Sequence, residues 1–438
     1  MTMRMLLSRR RLDSAKVTLM ARAERYRLAQ FPYEHPTITA SEVPPMKFVL
    51  VGYGSRGDVE PCAAVGRELL RRGHDVRMAV SPDKSGFVQA AGLTAVAYGP
   101  DTREQMNAAA EFVRNVANPI SVLPGVVERL TQVWAEKSAT LTSLAKEADL
   151  LLAGMNEQDL AANVAEYHGI PLAALHFFPA RVLSTGVLYS SMMKAAADAQ
   201  RRALGLPEAT EPSRASLEIQ AYDELCLPGP AADWVESDGR RPFVGALTLE
   251  LPMDADDEVM SWIAAGAPPV CFGLGSTPVA SPAETVAVIS GACAELGERT
   301  LICSGPNDFA HIPHSDHVKV VDAVNHAAIL PACRAVVHHG GAGTTAAGMR
   351  AGIPTLVLWL WLDQPIWAAG LERLHVGSGR QFVATTQESL VADLRCIFAP
   401  DYATRAREIA TRMTKSAESV ARAADLLEGA VRAGRGGC

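Results

Sequence analysis

Short apolar runs alternate with segments of helical periodicity along most of the chain. Residues 47–52 form an apolar, β-rich run that ends at a glycine. Residues 59–72 carry apolar side chains at helical spacing, and residues 76–80 predict the next strand. A strand, a helix and a strand in this order predict a βαβ unit, and therefore a parallel sheet covered by helices.

The same alternation occurs twice, on either side of a region rich in proline and glycine at 226–268. Such a density of breakers predicts a linker. The other predicted strands are 149–153, 171–175, 270–275, 300–303, 317–321, 335–338 and 355–360, and helices are predicted at 158–167, from 282 to about 296, and at 402–432. We therefore predict an α/β protein with two domains, 46–245 and 246–438, and a ligand-binding cleft between them.

The first 45 residues differ from the rest of the chain. Residues 1–30 contain eight Lys or Arg and two acids, without the apolar core of a secretory signal. We interpret 1–45 as a basic leader that is disordered or lies outside the fold, which then begins at Met46. A basic helix on an anionic membrane surface is the alternative interpretation.

Composition excludes several classes of function. The net charge of −7 gives no support for nucleic-acid binding. The longest strongly apolar run, 355–362, is far shorter than the roughly 20 residues of a membrane-spanning helix. The eight cysteines form no C-x-x-C pair, which favours buried thiols in a reducing cytoplasm over a disulfide or zinc framework.

The loop after the first strand has two interpretations. Gly52, Gly54 and Gly57 have the spacing of a dinucleotide fingerprint, so an NAD(P)-dependent oxidoreductase of the Rossmann type is one alternative. Asp58 argues against it, because its carboxylate would repel a pyrophosphate at the start of the helix. An ionised aspartate there can accept a proton or simply cap the helix, and the sequence leaves both roles open.

The loop at 338–345, HHGGAGTT, joins a predicted strand to a predicted helix. Its glycines allow close approach of the backbone to a ligand, and the helix N-terminus favours an anion. The loop has no Walker lysine, so transfer of a phosphoryl group from ATP is not indicated. Neighbouring histidines on a strand point to opposite faces, so no metal site is predicted, and a purely structural turn is the alternative.

Three motifs together are specific. They are GSRGDVEP at 54–61, HHGGAGTT at 338–345 and Asp363-Gln364. With them, residues 46–430 resemble the GT-B glycosyltransferases that act on glycopeptide antibiotics, sterols and lipids, especially the actinobacterial branch associated with mycobacterial glycopeptidolipids. The resemblance implies an α/β fold of the GT-B type, with two Rossmann-like domains facing each other across a cleft.

The resemblance also implies roles for individual residues. Asp58 is similar to the general base that deprotonates the acceptor hydroxyl, and Ser55 would shape that site. The remaining matches imply contacts with the donor: a diphosphate cradle, a second phosphate contact, a residue beside the nucleobase, and a pair that bonds the sugar hydroxyls. These are, in that order, His339, Gly341, Gly343 and Thr344; Ser276; Val324; and Asp363 with Gln364.

The resemblance thus implies an inverting, metal-independent hexosyltransferase in the cytoplasm, without a cofactor. It would move a hexose or deoxyhexose from a UDP- or dTDP-sugar to a hydroxyl of a lipid or peptidolipid acceptor, with peripheral contact at the inner membrane surface. The acidic triplet at 254–257 contains the D-x-D pattern of metal-dependent transferases, but we interpret it as a solvated helix start.

Two departures from the family pattern qualify this picture. Trp359 stands where many relatives have proline, and Trp361 and Trp367 follow, either for packing or to hold a deoxysugar. The stretch between Phe178 and Glu218 is shorter than the resemblance leads us to expect. A catalytically impaired sugar-nucleotide-binding protein is therefore a further alternative.

Overall fold

The computed structural model describes residues 44–102, 119–179, 187–209, 215–226, 240–309, 311–313, 315–361 and 363–435. The basic leader lies almost entirely outside these ranges, and so do parts of the 178–218 stretch and of the predicted linker. Among the described helices, none is both long enough and apolar enough to cross a bilayer.

The first half of the chain forms one parallel sheet. Its strands are β1 (Lys47–Gly52), β2 (Asp75–Val80), β3 (Thr94–Ala97), β4 (Leu150–Ala153), β5 (Leu172–His176) and β6 (Leu217–Gln220). Its helices are α1 (Arg56–Arg71), α2 (Ser85–Ala90), α3 (Pro119–Ala145), α4 (Gln158–His168) and α5 (Val187–Leu204). The strand order is β3-β2-β1-β4-β5-β6.

The second half forms a sheet of the same kind. After α6 (Asp256–Ala264) come β7 (Val270–Gly273), α7 (Pro282–Leu296), β8 (Thr300–Cys303), β9 (Val318–Val321), α8 (His326–Ile329), β10 (Ala335–His338), α9 (Ala342–Ala351), β11 (Thr355–Trp359), α10 (Gln364–Leu374) and β12 (Gly377–Gln381). The chain ends with α11 (Gln387–Ile397), α12 (Pro400–Ala410) and α13 (Ser416–Arg435). The strand order is β12-β11-β10-β7-β8-β9.

Both sheets have the doubly wound order 3-2-1-4-5-6 when their strands are counted along the chain. In such sheets a ligand binds outside the carboxyl ends of the strands, where the strand order reverses. That point lies between β1 and β4 in the first sheet and between β7 and β10 in the second. The two glycine-rich loops follow β1 and β10, so each one lies at the switch point of its own lobe.

The predicted strands are confirmed with shifts of one or two residues. The sequence prediction missed β3, β6 and β12, which are short and, in the case of β12 (GSGRQ), almost without apolar residues. The predicted tail helix at 402–432 is instead two helices, α12 and α13.

The last helix packs on the first lobe. Ala423, Ala424, Leu427 and Val431 of α13 lie in the same buried cluster as Phe48 and Leu50 of β1. Arg72 at the end of α1 donates to Asp425 and Glu428 of α13 at 2.6 and 2.9 Å. The chain therefore returns to the first lobe at its end, while the proposed domain boundary at 245/246 stays a prediction.

Candidate active site

A cavity of about 2030 Å³ lies between the two lobes. Loops at the carboxyl ends of β1, β4, β7, β10 and β11 line it, as do residues 246–251 between the lobes. Its wall includes every residue for which the sequence implied a role: Ser55, Asp58, Ser276, Val324, His339, Gly341, Gly343, Thr344, Asp363 and Gln364. Loops from two separate sheets thus contribute to one site.

Asp58 lies in the first turn of α1 with both carboxylate oxygens hydrogen-bonded. The backbone N–H and the hydroxyl of Ser55 donate to Oδ2 at 2.6 and 2.8 Å. The side-chain amide of Asn156 donates to Oδ1 at 3.1 Å. Asp58 therefore does form a capping box with Ser55. This local role does not remove it from the cavity, which it also lines.

Burial raises the pKa of Asp58, because a charged carboxylate loses hydration there. The hydrogen bonds from Ser55 and Asn156 act in the opposite direction, since they stabilise the ionised form. A carboxylate poised in this way remains an acceptor of protons while being a stronger base than an exposed aspartate.

Gly54 makes room for this carboxylate. Its φ is +134°, in the region that favours glycine. A Cβ built on Gly54 would lie 2.4 Å from Oδ2 of Asp58, which is far inside van der Waals contact. Gly54, which has the spacing of a dinucleotide fingerprint, thus leaves space for the carboxylate of Asp58. Asp58 occupies the position where the oxidoreductase alternative needs a pyrophosphate.

His338 is the last residue of β10 and His339 follows it, with the two rings edge to face at a centroid distance of 6.0 Å. The alternation predicted for neighbouring histidines does not apply here, because His339 lies beyond the end of the strand. His338 is fully buried and accepts a hydrogen bond from the backbone N–H of Gly340 at 3.0 Å. His339 lines the interlobe cavity instead. Burial lowers the pKa of both imidazoles, so His339 is neutral at neutral pH and can donate one N–H.

The imidazole of His339 fits between two glycines. A Cβ on Gly275 or Gly341 would lie 2.4 or 2.5 Å from its ring atoms, so both positions need glycine. Gly341 is the N-cap of α9, and the hydroxyl of the buried Thr345 donates to its carbonyl at 3.0 Å. The open end of α9 and His339 therefore face the cavity together, with Gly343 and Thr344 in the first turn.

Ser276 and Val324 lie on the other side of the same switch point. Ser276 is exposed in the loop after β7, and the Asn307 amide holds that loop through the carbonyl of Thr277 at 3.0 Å. Val324 is buried in the segment between β9 and α8. Both line the cavity from the second lobe.

Asp363 and Gln364 begin α10 and differ in their freedom to bind a ligand. The indole N–H of Trp367 donates to Oδ2 of Asp363 at 2.7 Å. Burial raises the pKa of Asp363 to about 6, and the charge of Asp58 adds to this across the cleft. The side-chain oxygen of the buried Gln364 accepts from the backbone N–H of Leu360 at 2.7 Å, which closes the preceding turn.

The three tryptophans have separate roles. Trp367 is buried and supports Asp363, and Trp359 packs against the same hydrophobic cluster. Trp361 alone lines the cavity, with 47% of its surface exposed beside Asp363 and Gln364. Of the three, only Trp361 is therefore placed to contact a sugar.

The acidic triplet at 254–257 contributes to the structure of the loop. Asp256 accepts from the backbone N–H groups of Met253 and Asn325, each at 2.9 Å. The predicted helix start is confirmed, since α6 begins at Asp256 and both Asp254 and Asp257 are exposed. Asp256 alone is engaged with the backbone. Within the described ranges, no three His, Cys, Asp or Glu side chains are grouped as a metal would require.

Sequence reasoning missed Asn156, which touches Asp58 from the loop after β4. The available signal was positional, because Asn156 follows a predicted strand that ends at 153. A polar residue there faces the loop after β1 only if β4 is the neighbour of β1. The doubly wound strand order would have predicted this contact.

Comparisons with known proteins agree with this geometry. Residues 48–184 match the family described as glycosyltransferase family 28 N-terminal domain, and residues 299–426 match the erythromycin biosynthesis protein CIII-like C-terminal domain. An uncharacterized glycosyltransferase of Mycobacterium tuberculosis is 59% identical over 419 residues, covering 89% of this chain and 100% of that protein. The sterol 3-beta-glucosyltransferase UGT80B1 of Arabidopsis thaliana is 27% identical over 431 residues, covering 87% of this chain and 68% of that protein.

The fold is that of solved glycosyltransferases. The glycosyltransferase VinC, determined in complex with dTDP, aligns with a TM-score of 0.61 at 21% identity over 90% of this chain and 100% of its own. The two sheets and the cleft between them are the GT-B arrangement that the sequence predicted. With 59% identity to a full-length relative, and family matches in both lobes, the chain belongs to the GT-B glycosyltransferases.

Proposed function

We propose that the protein is an inverting glycosyltransferase that moves a hexose or deoxyhexose from a UDP- or dTDP-sugar to a hydroxyl of a lipid or peptidolipid. One observation carries the proposal. The carboxylate of Asp58 from the first lobe and the N-terminus of α9 from the second lobe line one cavity. A proton acceptor on one side of the cleft and a helix N-terminus that favours an anion on the other are what the proposed transfer requires.

In the proposed reaction, Asp58 accepts the proton of the acceptor hydroxyl. The hydroxyl oxygen forms a new bond to the anomeric carbon of the donor sugar, while the bond from that carbon to the diphosphate oxygen breaks. Because the attack comes from the face opposite the leaving group, the anomeric configuration inverts. The proton ends on Asp58 and the electron pair leaves with the nucleoside diphosphate.

The charge of the leaving group falls at the start of α9. Backbone N–H groups at a helix N-terminus carry partial positive charge, and fixed donors of this kind stabilise developing negative charge without reorganisation. The neutral imidazole of His339 adds a donor at the same place. We propose that these groups replace a divalent cation, so that transfer needs no metal and no cofactor.

The proposed donor and acceptor classes are supported by the similarity to known glycosyltransferases and by the residues that line the cavity. UGT80B1 is a sterol glucosyltransferase by name, and VinC was determined with dTDP. On the acceptor side the cavity is lined by Phe87, Phe177, Phe178 and Met193, which suit an apolar acceptor. We also propose that the protein acts in the cytoplasm, where a lipid acceptor would bring it into peripheral contact with the inner membrane surface.

We further propose that Trp361 packs on the apolar face of the transferred sugar. The Trp361→Ala variant should then raise the donor KM and alter the choice among donor sugars.

The experiment incubates the purified full-length protein with UDP-glucose, dTDP-glucose or dTDP-rhamnose and a mycobacterial lipid extract, with and without EDTA. Mass spectrometry should find a hexosylated or deoxyhexosylated lipid with one of these donors, and EDTA should have no effect. The Asp58→Asn variant should bind UDP or dTDP as the wild type does in calorimetry, while transfer falls by about a thousandfold.

Each contrary result has its own meaning. Transfer retained in Asp58→Asn would remove Asp58 from the role of base. Binding of UDP or dTDP by the wild type without transfer to any lipid would favour the sugar-nucleotide-binding alternative. The oxidoreductase alternative is not retained, since the chain belongs to the glycosyltransferases.

A further inference from the structure

The loop after β4 holds a polar side chain against Asp58. The side-chain amide of Asn156 donates to Oδ1 of Asp58 at 3.1 Å and to the backbone carbonyl of Tyr53 at 3.2 Å. One amide nitrogen thus joins the carboxylate to the loop that precedes its helix.

A buried ion pair fixes the position of this amide. Asn156 is the middle residue of a short 3-10 helix, Met155–Glu157. The carboxylate of Glu157 is buried, where it accepts from Nζ of Lys137 at 2.8 Å and from the hydroxyl of Tyr98. The same Nζ lies 3.3 Å from the ring centroid of Tyr53. Separating a buried ion pair costs free energy, so the pair of Glu157 with Lys137 fixes the short helix that contains Asn156.

The other end of the segment is tied to β1. The backbone N–H of Gly154 donates to the carbonyl of Val51 at 2.8 Å. A Cβ on Gly154 would already press on that carbonyl at 3.3 Å, so the two loops approach as closely as glycine allows. Asn156 is therefore fixed from both sides, relative to the strand that leads to Asp58.

The two oxygens of Asp58 are not equivalent. A carboxylate oxygen accepts about two hydrogen bonds. Oδ2 receives both donors of Ser55 and faces Gly54, whereas Oδ1 accepts one side-chain hydrogen bond, from the Asn156 amide, and has capacity for a second. Oδ1 is thus the oxygen that can take a proton from an incoming hydroxyl.

We infer that Asn156 is a positioning residue, which aims Oδ1 of Asp58 at the acceptor and keeps that carboxyl ionised by donating to it. This inference rests on the proposed function, in which Asp58 is the base. It adds that the base, Asp58, is oriented by a residue of a second loop. The two loops follow β1 and β4, the strands on either side of the switch point. The hydrogen bond to Asn156 also opposes the rise in the Asp58 pKa that burial causes.

Several charged or titratable groups share the cavity or the surroundings of Asp58. They are Tyr53, Arg56, Glu60, Cys62, Lys137, Glu157 and Asp159 in the first lobe, and His326, His339 and Asp363 in the second. All remain in place when Asn156 is replaced. Variants that change only Asp58 and Asn156 therefore measure the interaction between these two residues, because the titration of every other group is common to all of them.

The test measures thermal unfolding of the wild type, Asn156→Ala, Asp58→Asn and the double variant, at about pH 5 and about pH 8. The hydrogen bond is stronger to an ionised carboxylate, so Asn156→Ala should lower the Tm more at the higher pH. In the Asp58→Asn background the loss caused by Asn156→Ala should be the same at both pH values. Asn163→Ala is the matched control, because Asn163 bonds to Gln200 and to Arg201, which do not titrate in this range.

Activity supplies the second readout. With the donor and lipid that the wild type uses, kcat/KM of Asn156→Ala should fall by about tenfold while the donor KM stays within about twofold. Asn156→Asp places a second carboxylate beside Oδ1, so the acid limb of its kcat/KM profile should move to higher pH.

A purely structural Asn156 would behave differently. Its removal would lower the Tm equally at both pH values and in both backgrounds, or the variants would transfer as the wild type does with an unmoved acid limb. Either result would overturn the inference. A wild type that transfers no sugar would instead contradict the proposed function, and the pH-dependent coupling in unfolding would still test the pairing of Asn156 with Asp58.

Discussion

At the scale of single residues, the cleft brings two carboxylates from different lobes into one electrostatic environment. Burial is the main cause of the raised pKa of Asp363, and the negative charge of Asp58 raises this pKa further. Two ionised carboxylates that face the same cleft repel each other, which destabilises the folded state. A bound sugar would change this balance, because its hydroxyl groups can donate to Asp363.

Asp363 should therefore leave a signature in the pH dependence of stability. Its folded pKa of about 6 lies above the ordinary value of 3.8, so between these pH values the folded state binds more protons than the unfolded state. The unfolding free energy must then fall as pH rises through this window, by roughly 2 kcal/mol from this group.

The Asp363→Asn variant should remove that slope. Urea titrations at a series of pH values from about 4 to about 7 would measure it. A slope equal to that of the wild type would mean that Asp363 titrates at its ordinary pKa. The sugar-binding role proposed for Asp363 would not be touched by that result.

At the scale of elements, α9 is a helix whose start is shaped for a ligand at some cost in stability. Gly343 lies in its first turn with ordinary dihedral angles, and a Cβ there would meet nothing within 4 Å. Glycine inside a helix is less stable than alanine by roughly 0.5–1 kcal/mol. Packing within the protein does not require this glycine, which agrees with the proposal that a diphosphate approaches it closely.

Gly343→Ala should raise the Tm slightly but weaken binding of UDP or dTDP by about tenfold, since the methyl group enters the space of the diphosphate. Calorimetry with each nucleotide would measure the loss. Gly429→Ala in α13 is the matched control, because that glycine is also helical and open, but lies outside the cavity. Unchanged affinity in Gly343→Ala would place the diphosphate elsewhere.

At the scale of the whole molecule, one arginine joins the second lobe to the segments between the lobes. Arg350 at the end of α9 donates to the carbonyls of Ala246 and Thr414 at 2.7 and 2.9 Å, and to the hydroxyls of Thr248 and Ser419 at 3.1 and 3.2 Å. These acceptors lie on both stretches of chain that cross between the lobes. Helix α9 thus begins at the glycine-rich loop 338–345 and ends where the chain passes between the two lobes.

Arg350→Met should lower the unfolding free energy by about 2–4 kcal/mol, because four acceptors lose a buried charged donor. It should also loosen the lobes, which faster cleavage by trypsin near the crossing and a larger radius of gyration in X-ray scattering would show. Arg412→Met, at an exposed site, is the control. Equal stability and equal compactness of the two variants would contradict the role of Arg350.

The strands β1, β7, β10 and β11 and the helices α1 and α9 beside the site could be predicted, because the burial of one face or one run is encoded in neighbouring residues. Helix α10, which begins at Gln364, was not predicted. The short strands β3, β6 and β12 could not, since their residues gain stability from the strand beside them. The split of the tail into α12 and α13 was also missed.

For the site, the local parts could be predicted and the pairings could not. The glycines, His339 and Asp58 stand in motifs whose chemistry follows from adjacent residues. The contact between Asp58 and Asn156 joins positions 98 residues apart. That Trp367 is buried while Trp361 is exposed depends on how α10 packs.

The sequence by itself therefore determined the alternation of strands and helices, the two glycine-lined loops and their place between a strand and a helix, because these are properties of short segments. Only the tertiary structure decided that both loops face one cavity, that the last helix returns to the first lobe, and that Asn156 supports Asp58. The physical reason is that strand order and lobe packing arise from the burial of surfaces distant in the chain.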